Sequence, residues 1–124
     1  MATGTRVLIV EDEAISARAA GVMLERIGCT VTGVVDSGKD AIEAAARDRP
    51  DLVLMDIRLK GEMNGIEAAT VIHKRMGTPI VFVTAYSVDD LKGADILPEH
   101  SRFLSKPIGE RELAAAVEDA MRAG

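Results

Sequence analysis

The sequence predicts an α/β fold, a parallel sheet covered by helices on both faces. Three observations predict it. Apolar runs of strand length alternate along the chain with stretches of helical spacing, five of each. The first of these runs is continuously apolar, as in a strand buried on both faces. Four of the runs also finish in chemistry-bearing residues. Val7-Leu8-Ile9-Val10 ends in Glu11-Asp12-Glu13, and Leu52-Val53-Leu54-Met55 ends in Asp56. Val81-Phe82-Val83 ends in Thr84, and Phe103-Leu104-Ser105 ends in Lys106-Pro107. Open parallel sheets bind ligands in the crevice beyond the carboxyl ends of their strands, so these groups are expected to meet there.

Each element has its own signals. Residues 6–10 form the first strand. Ile15, Ala19, Val22, Met23 and Ile27 recur with helical spacing and mark the buried face of a first helix, which Gly28 stops. Residues 30–35 form a second strand, weakened at Gly33. Ser37 with Asp40 three residues on reads as a capping box for an Ala-rich helix over 38–48, which Arg49-Pro50 breaks. Residues 51–55 form the third strand, and 57–63, with Gly61 and several charges, form a loop. Asn64 caps a helix over 65–76, buried through Ile66, Ala69, Ile72 or His73, and Met76. Gly77-Thr78-Pro79 ends it, and 80–83 form the fourth strand. Ser87 caps a short helix within 87–99, limited by Gly93 and Pro98. Residues 102–105 form the fifth strand, and a last helix over 109–122 buries Leu113, Ala116, Val117 and Ala120. Met1 to Thr5 are expected to be loose, which leaves 6–124 as one domain.

Bulk properties narrow the function. The 124 residues suit a single domain, and 48% hydrophobic content supplies a core. Phe82, Phe103 and Tyr86 are the only aromatic residues, too few for a nucleic-acid stacking platform. A net charge of −5 disfavours direct contact with DNA or an anionic membrane. The apolar runs fall far short of the roughly 20 residues of a membrane span. No leader pattern opens the chain, so a cytoplasmic protein is expected. The single Cys29 excludes an intramolecular disulfide, and His73 and His100 show no ligand spacing.

The motifs Val-Glu-Asp-Glu (10–13), Leu-Met-Asp-Ile (54–57), Met-Asn-Gly-Ile-Glu (63–67), Val-Thr-Ala (83–85) and Ser-Lys-Pro (105–107) follow in this order at the predicted strand ends. Together they resemble the receiver domain of a two-component response regulator. The resemblance implies a flavodoxin-like (CheY-like) three-layer fold with strand order 2-1-3-4-5 and five helices on both faces. It implies a phosphorelay switch and no enzyme beyond its own phosphorylation and dephosphorylation. Asp56 matches the phosphoacceptor, and Thr84 and Lys106 match the hydroxyl and amine that assist it. Glu11 and Asp12, with Asp56 and the backbone carbonyl of Arg58, match the ligands of Mg2+, for which Mn2+ can substitute. Thr84 and Phe103 match the switch pair that carries the change to the face of the fourth helix, fifth strand and fifth helix. Arg58 and Tyr86 match the two positions that tune hydrolysis of the phosphoryl group. The Lys106-Pro107 bond is expected to be cis.

The implied partners are a sensor histidine kinase or histidine phosphotransfer protein, and a downstream effector or an output domain removed from the chain. A monomer or a phosphorylation-dependent dimer fits, with no direct nucleic-acid or membrane contact. A degenerate, phosphorylation-independent receiver is the alternative. Other classes fit poorly. A flavin phosphate would be repelled by Glu11-Asp12-Glu13. Arg58 stands where a cobalamin domain has its axial histidine, and where a haloacid-dehalogenase phosphatase has a second aspartate. Glu13 reads as an acid serving the start of the first helix.

Overall fold

The computed structural model describes residues 4–85 and 101–123. Five strands run parallel: β1 (Arg6–Val10), β2 (Thr30–Val35), β3 (Leu52–Asp56), β4 (Ile80–Thr84) and β5 (Arg102–Ser105). Their order is β2-β1-β3-β4-β5, as the resemblance implies. Four helices stand among the described residues: α1 (Ala14–Arg26), α2 (Gly38–Asp48), α3 (Gly65–Met76) and α4 (Glu110–Ala123). That is one fewer than the sequence predicts. The remaining helix, expected over 87–99, lies outside the described residues. The helix labelled α4 is therefore the last of the five predicted ones.

The side-chain alternation of the central strands builds two cores. Val7, Ile9, Leu52, Leu54, Val81 and Val83 face α1 and α4. Leu8, Val10, Val53, Met55, Ile80 and Phe82 face α2 and α3. Both faces of β3 and β4 are buried, so every residue in these strands is apolar until the last. Each such Val, Leu or Ile contributes about 1.5–3 kcal/mol on burial.

Local signals set the helix ends. Asn64 Oδ1 accepts from the Glu67 amide at 2.9 Å, and Glu67 Oε1 accepts from the Asn64 amide at 2.9 Å, a complete capping box. Ser37 makes the first half of such a box, accepting from the Asp40 amide at 3.1 Å. At the far end of α2, Arg6 donates to the carbonyls of Arg49 and Asp48 at 2.8 and 2.9 Å, satisfying groups the helix leaves open. Gly77, at φ 69°, ends α3 in the left-handed region.

One expected face is corrected. α1 buries Ala17, Ala20 and Leu24, with Met23 and Ile27 packed beside them. Ile15, Ala19 and Val22, expected inside, are exposed, Ile15 by 87% and Val22 by 46%. The buried stripe runs through positions 17, 20, 24 and 27 at spacings of three and four, and positions 15, 19 and 22 fall on the opposite side of the helix.

β2 forms one edge of the sheet and is only half-buried. Its pairing with β1 slips by one residue: Val7 lies opposite Val31, but Leu8 lies opposite Gly33. Thr32 falls in the gap, and its hydroxyl donates to the Val7 carbonyl at 3.4 Å.

Candidate functional site

The four chemistry-bearing strand ends do meet. Val10 is in register with Met55, Asp56 with Val83, and Thr84 with Ser105. Glu11, Asp56, Thr84 and Lys106 therefore rise from adjacent strands on one edge of the sheet. Glu11, Asp56 and Thr84 are buried, at 8%, 5% and 1% exposure.

Lys106 joins these groups. Its Nζ donates to Glu11 Oε1 at 2.7 Å and to Asp56 Oδ2 at 3.4 Å. It also faces Glu13 Oε1 at 3.6 Å. Backbone amides of the loop after β3 hold the carboxylates: Arg58 N–H donates to Asp56 Oδ1 at 3.0 Å, and Lys60 N–H to Asp12 Oδ2 at 3.1 Å. The Lys106 amide donates to the Thr84 carbonyl at 2.8 Å, and the Lys106–Pro107 peptide is cis.

Carboxylate oxygens of Glu11, Asp12 and Asp56 lie within 4.8 Å of one another. Three carboxylates face one ammonium, and two of the three are buried. That excess of negative charge on hard oxygen donors fits a divalent cation such as Mg2+. Burial pushes the Glu11 carboxyl above its ordinary value, the neighbouring Asp56 adds to the rise, and Lys106 only partly opposes it. Burial works against the Lys106 ammonium, but Glu11 and Asp56 outweigh it and raise its pKa. The Ser16 hydroxyl and then Lys106 hold Glu13 below the usual carboxylate range.

Gly65 allows this edge to close. Its amide donates to the Ile57 carbonyl at 3.0 Å, which brings the start of α3 against the end of β3. A Cβ there would collide with the Asp56 carbonyl oxygen and lie 2.9 Å from the Asp56 carbonyl carbon and Ile57 Cα. Glycine is needed for close approach, which is why it follows Asn64 in this loop.

The remaining predicted residues have varied placements. Phe103 is half-buried and stacks on Phe82, with ring centroids 5.3 Å apart and planes 22° apart. The Arg58 residue is exposed beside the site. Tyr86 and His100 lie outside the described residues. Sequence reasoning missed the part played by Glu13. It occupies the N-cap position of α1 but makes no capping bond, and its carboxylate turns to Ser16 and Lys106 instead. The signal available was Ser16, three residues on, placed to hold a side chain at the helix start.

The family model of the response regulator receiver domain matches residues 7–118. The chain belongs to that family. The transcriptional regulatory protein PdtaR of Mycobacterium tuberculosis is 36% identical over 113 residues, which span 91% of this chain and 55% of that protein. The phyllosphere-induced regulator PhyR of Methylorubrum extorquens is 31% identical over 118 residues, spanning 94% of this chain and 43% of that protein. This receiver domain thus spans about half the length of the curated relatives it matches. Among solved structures, the signal receiver domain of a modulated diguanylate cyclase from Desulfovibrio desulfuricans G20 superposes with a TM-score of 0.87 at 33% identity, covering 97% of this chain and 95% of that one. Among the described residues, no helix is long and apolar enough to cross a membrane.

Proposed function

We propose that this receiver domain is a phosphorelay switch in the cytoplasm that accepts a phosphoryl group on Asp56. The observation that carries this reading is the convergence of Asp56 with Glu11, Asp12 and Lys106 around one point at the strand ends. The donor is a phosphohistidine of a sensor kinase or phosphotransfer protein. An Asp56 carboxylate oxygen attacks phosphorus, and the phosphorus–nitrogen bond of the donor breaks with its electron pair left on the imidazole. Such transfer depends on positioning and on charge placed against the phosphoryl oxygens. Glu11, Asp12, Asp56 and the Arg58 carbonyl would hold Mg2+, which supplies positive charge to those oxygens. Lys106 supplies a second cation, and Thr84 a hydroxyl donor at the neighbouring strand end.

Partner contact has a natural place. A groove of about 280 Å3 opens beside Lys106, lined by Ile15, Ala19, Met23, Pro107 and Ile108 among others. An apolar helix carrying the phosphohistidine would cover these exposed and half-buried side chains and present its phosphoryl group to Asp56. The output runs through the face of β5 and α4, by contact with an effector protein or an output domain of a longer chain.

The test is intact mass after incubation with acetyl phosphate, with and without Mg2+, beside an Asp56→Asn control. The expected result is a Mg2+-dependent gain of one phosphoryl group that the control lacks. No gain from either acetyl phosphate or a phosphorylated histidine donor would favour a phosphorylation-independent receiver instead.

A further inference from the structure

We propose that Glu13 is a positioning residue for this phosphorylation, an inference that rests on Asp56 being the phosphoacceptor. Glu13 takes the N-cap position of α1, at φ −98° and ψ 110°, where a side-chain oxygen ordinarily accepts from the backbone of the first turn. It makes no such bond. Its Oε1 instead accepts from the Ser16 hydroxyl at 2.6 Å and stands 3.6 Å from Lys106 Nζ. Its own amide donates to Glu11 Oε2 at 3.3 Å, while Glu11 Oε1 holds Lys106 at 2.7 Å.

These contacts close a ring. The Glu13 amide orients the Glu11 carboxylate, Glu11 binds the Lys106 ammonium, and the Glu13 carboxylate flanks that ammonium from the α1 side. Lys106 Nζ lies 0.7 Å nearer to Glu11 (2.7 Å) than to Asp56 (3.4 Å), and 3.6 Å from Glu13. The Asp56 carboxylate is thereby left with a weaker ion pair and a more available lone pair for attack. Glu13 itself has a side chain that is 67% exposed, so it adds little to the core. Its place in the molecule is explained by the ammonium it faces and the serine that tethers it.

Two variants separate charge from placement. Glu13→Gln removes the charge, and Ser16→Ala keeps the charge but frees the carboxylate. Crystal structures of both unmodified variants are expected to show Lys106 Nζ shifted from Glu11 toward Asp56. Phosphorylation by acetyl phosphate at saturating Mg2+, followed by intact mass, is expected to show a maximal rate reduced about three- to ten-fold in both. The half-saturating donor concentration in Ser16→Ala is expected to stay unchanged, and Ser16→Thr, which keeps the hydroxyl, is expected to restore the rate. A Lys106 that stays on Glu11 in both variants, or an unchanged maximal rate, overturns the role of Glu13 while wild-type phosphorylation stands. A wild-type protein that gains no phosphoryl group overturns the phosphoacceptor reading, and the role of Glu13 with it.

Discussion

Replacing Asp56 by Asn is expected to stabilise the metal-free protein. At 3.4 Å, the Lys106 ammonium attracts Asp56 by about 5 kcal/mol at an effective dielectric constant near 20. Glu11 and Asp12 present oxygens within 4.8 Å, and each repels Asp56 by about 3.5 kcal/mol on the same scale. The two repulsions exceed the one attraction, and burial of Asp56 adds a desolvation cost of the same sign. Solvent screening of the less buried Asp12 reduces the net to about 1–2 kcal/mol. Asn keeps an oxygen for the Arg58 amide, while its Nδ2 takes the place of the Oδ2 that accepts from Lys106. For a domain of 124 residues, that corresponds to about 3–5 °C in Tm per kcal/mol. Urea unfolding followed by circular dichroism, in chelator and then in excess Mg2+, measures both halves of the claim. The variant is expected to be more stable in chelator, and wild type is expected to gain more from Mg2+. A variant less stable than wild type in chelator would overturn this, because Lys106 would then outweigh the two carboxylates.

Two further outcomes follow from the same edge of the sheet. Gly65→Ala forces a Cβ onto the Asp56 carbonyl, so α3 or the end of β3 must shift. A loss of about 1–3 kcal/mol in urea unfolding is expected, together with slower phosphorylation by acetyl phosphate, and a variant unchanged in both would contradict the close approach. In chelator, stability is also expected to depend on pH through Glu11 and Lys106. The Glu11 pKa is raised above 4.5 in the folded state, so the folded protein binds that proton more tightly, and stability from this group falls as pH rises from 4.5 through the folded value. Lys106 is raised above 10.5, so its contribution is complete below 10.5 and is lost as pH rises through the higher folded value. Urea midpoints across pH in Glu11→Gln and Lys106→Met variants would check each limb, and a limb that persists in its variant belongs to another group.

The strand ends were legible because each site residue terminates an apolar run. Once β1, β3, β4 and β5 are parallel neighbours, Glu11, Asp56, Thr84 and Lys106 must share one edge of the sheet. The cap at Asn64 was legible because its partner Glu67 lies within one turn. The buried face of α1 was not. Ala17 and Ala20 carry little hydrophobic weight in a sequence pattern, so the stripe they share with Leu24 was outweighed there by Ile15 and Val22. The direction of the Glu13 side chain was hidden for another reason. Ser16 holds it from within the same turn, but Lys106, which it also faces, is brought near only when β5 takes its place in the sheet. Phe103 shows the same limit, since its stacking needs Phe82 of the neighbouring strand.

The slipped pairing of β2 with β1 has a consequence for self-association. A strand added to the outer edge would need an unbroken ladder of amides and carbonyls, and the extra residue at Thr32 interrupts the spacing that such a ladder requires. Irregular edges of this kind discourage strand-to-strand polymerisation. Self-association of this chain would then run through helices and loops, contacts that would respond to a change at the Asp56 edge without unzipping the sheet.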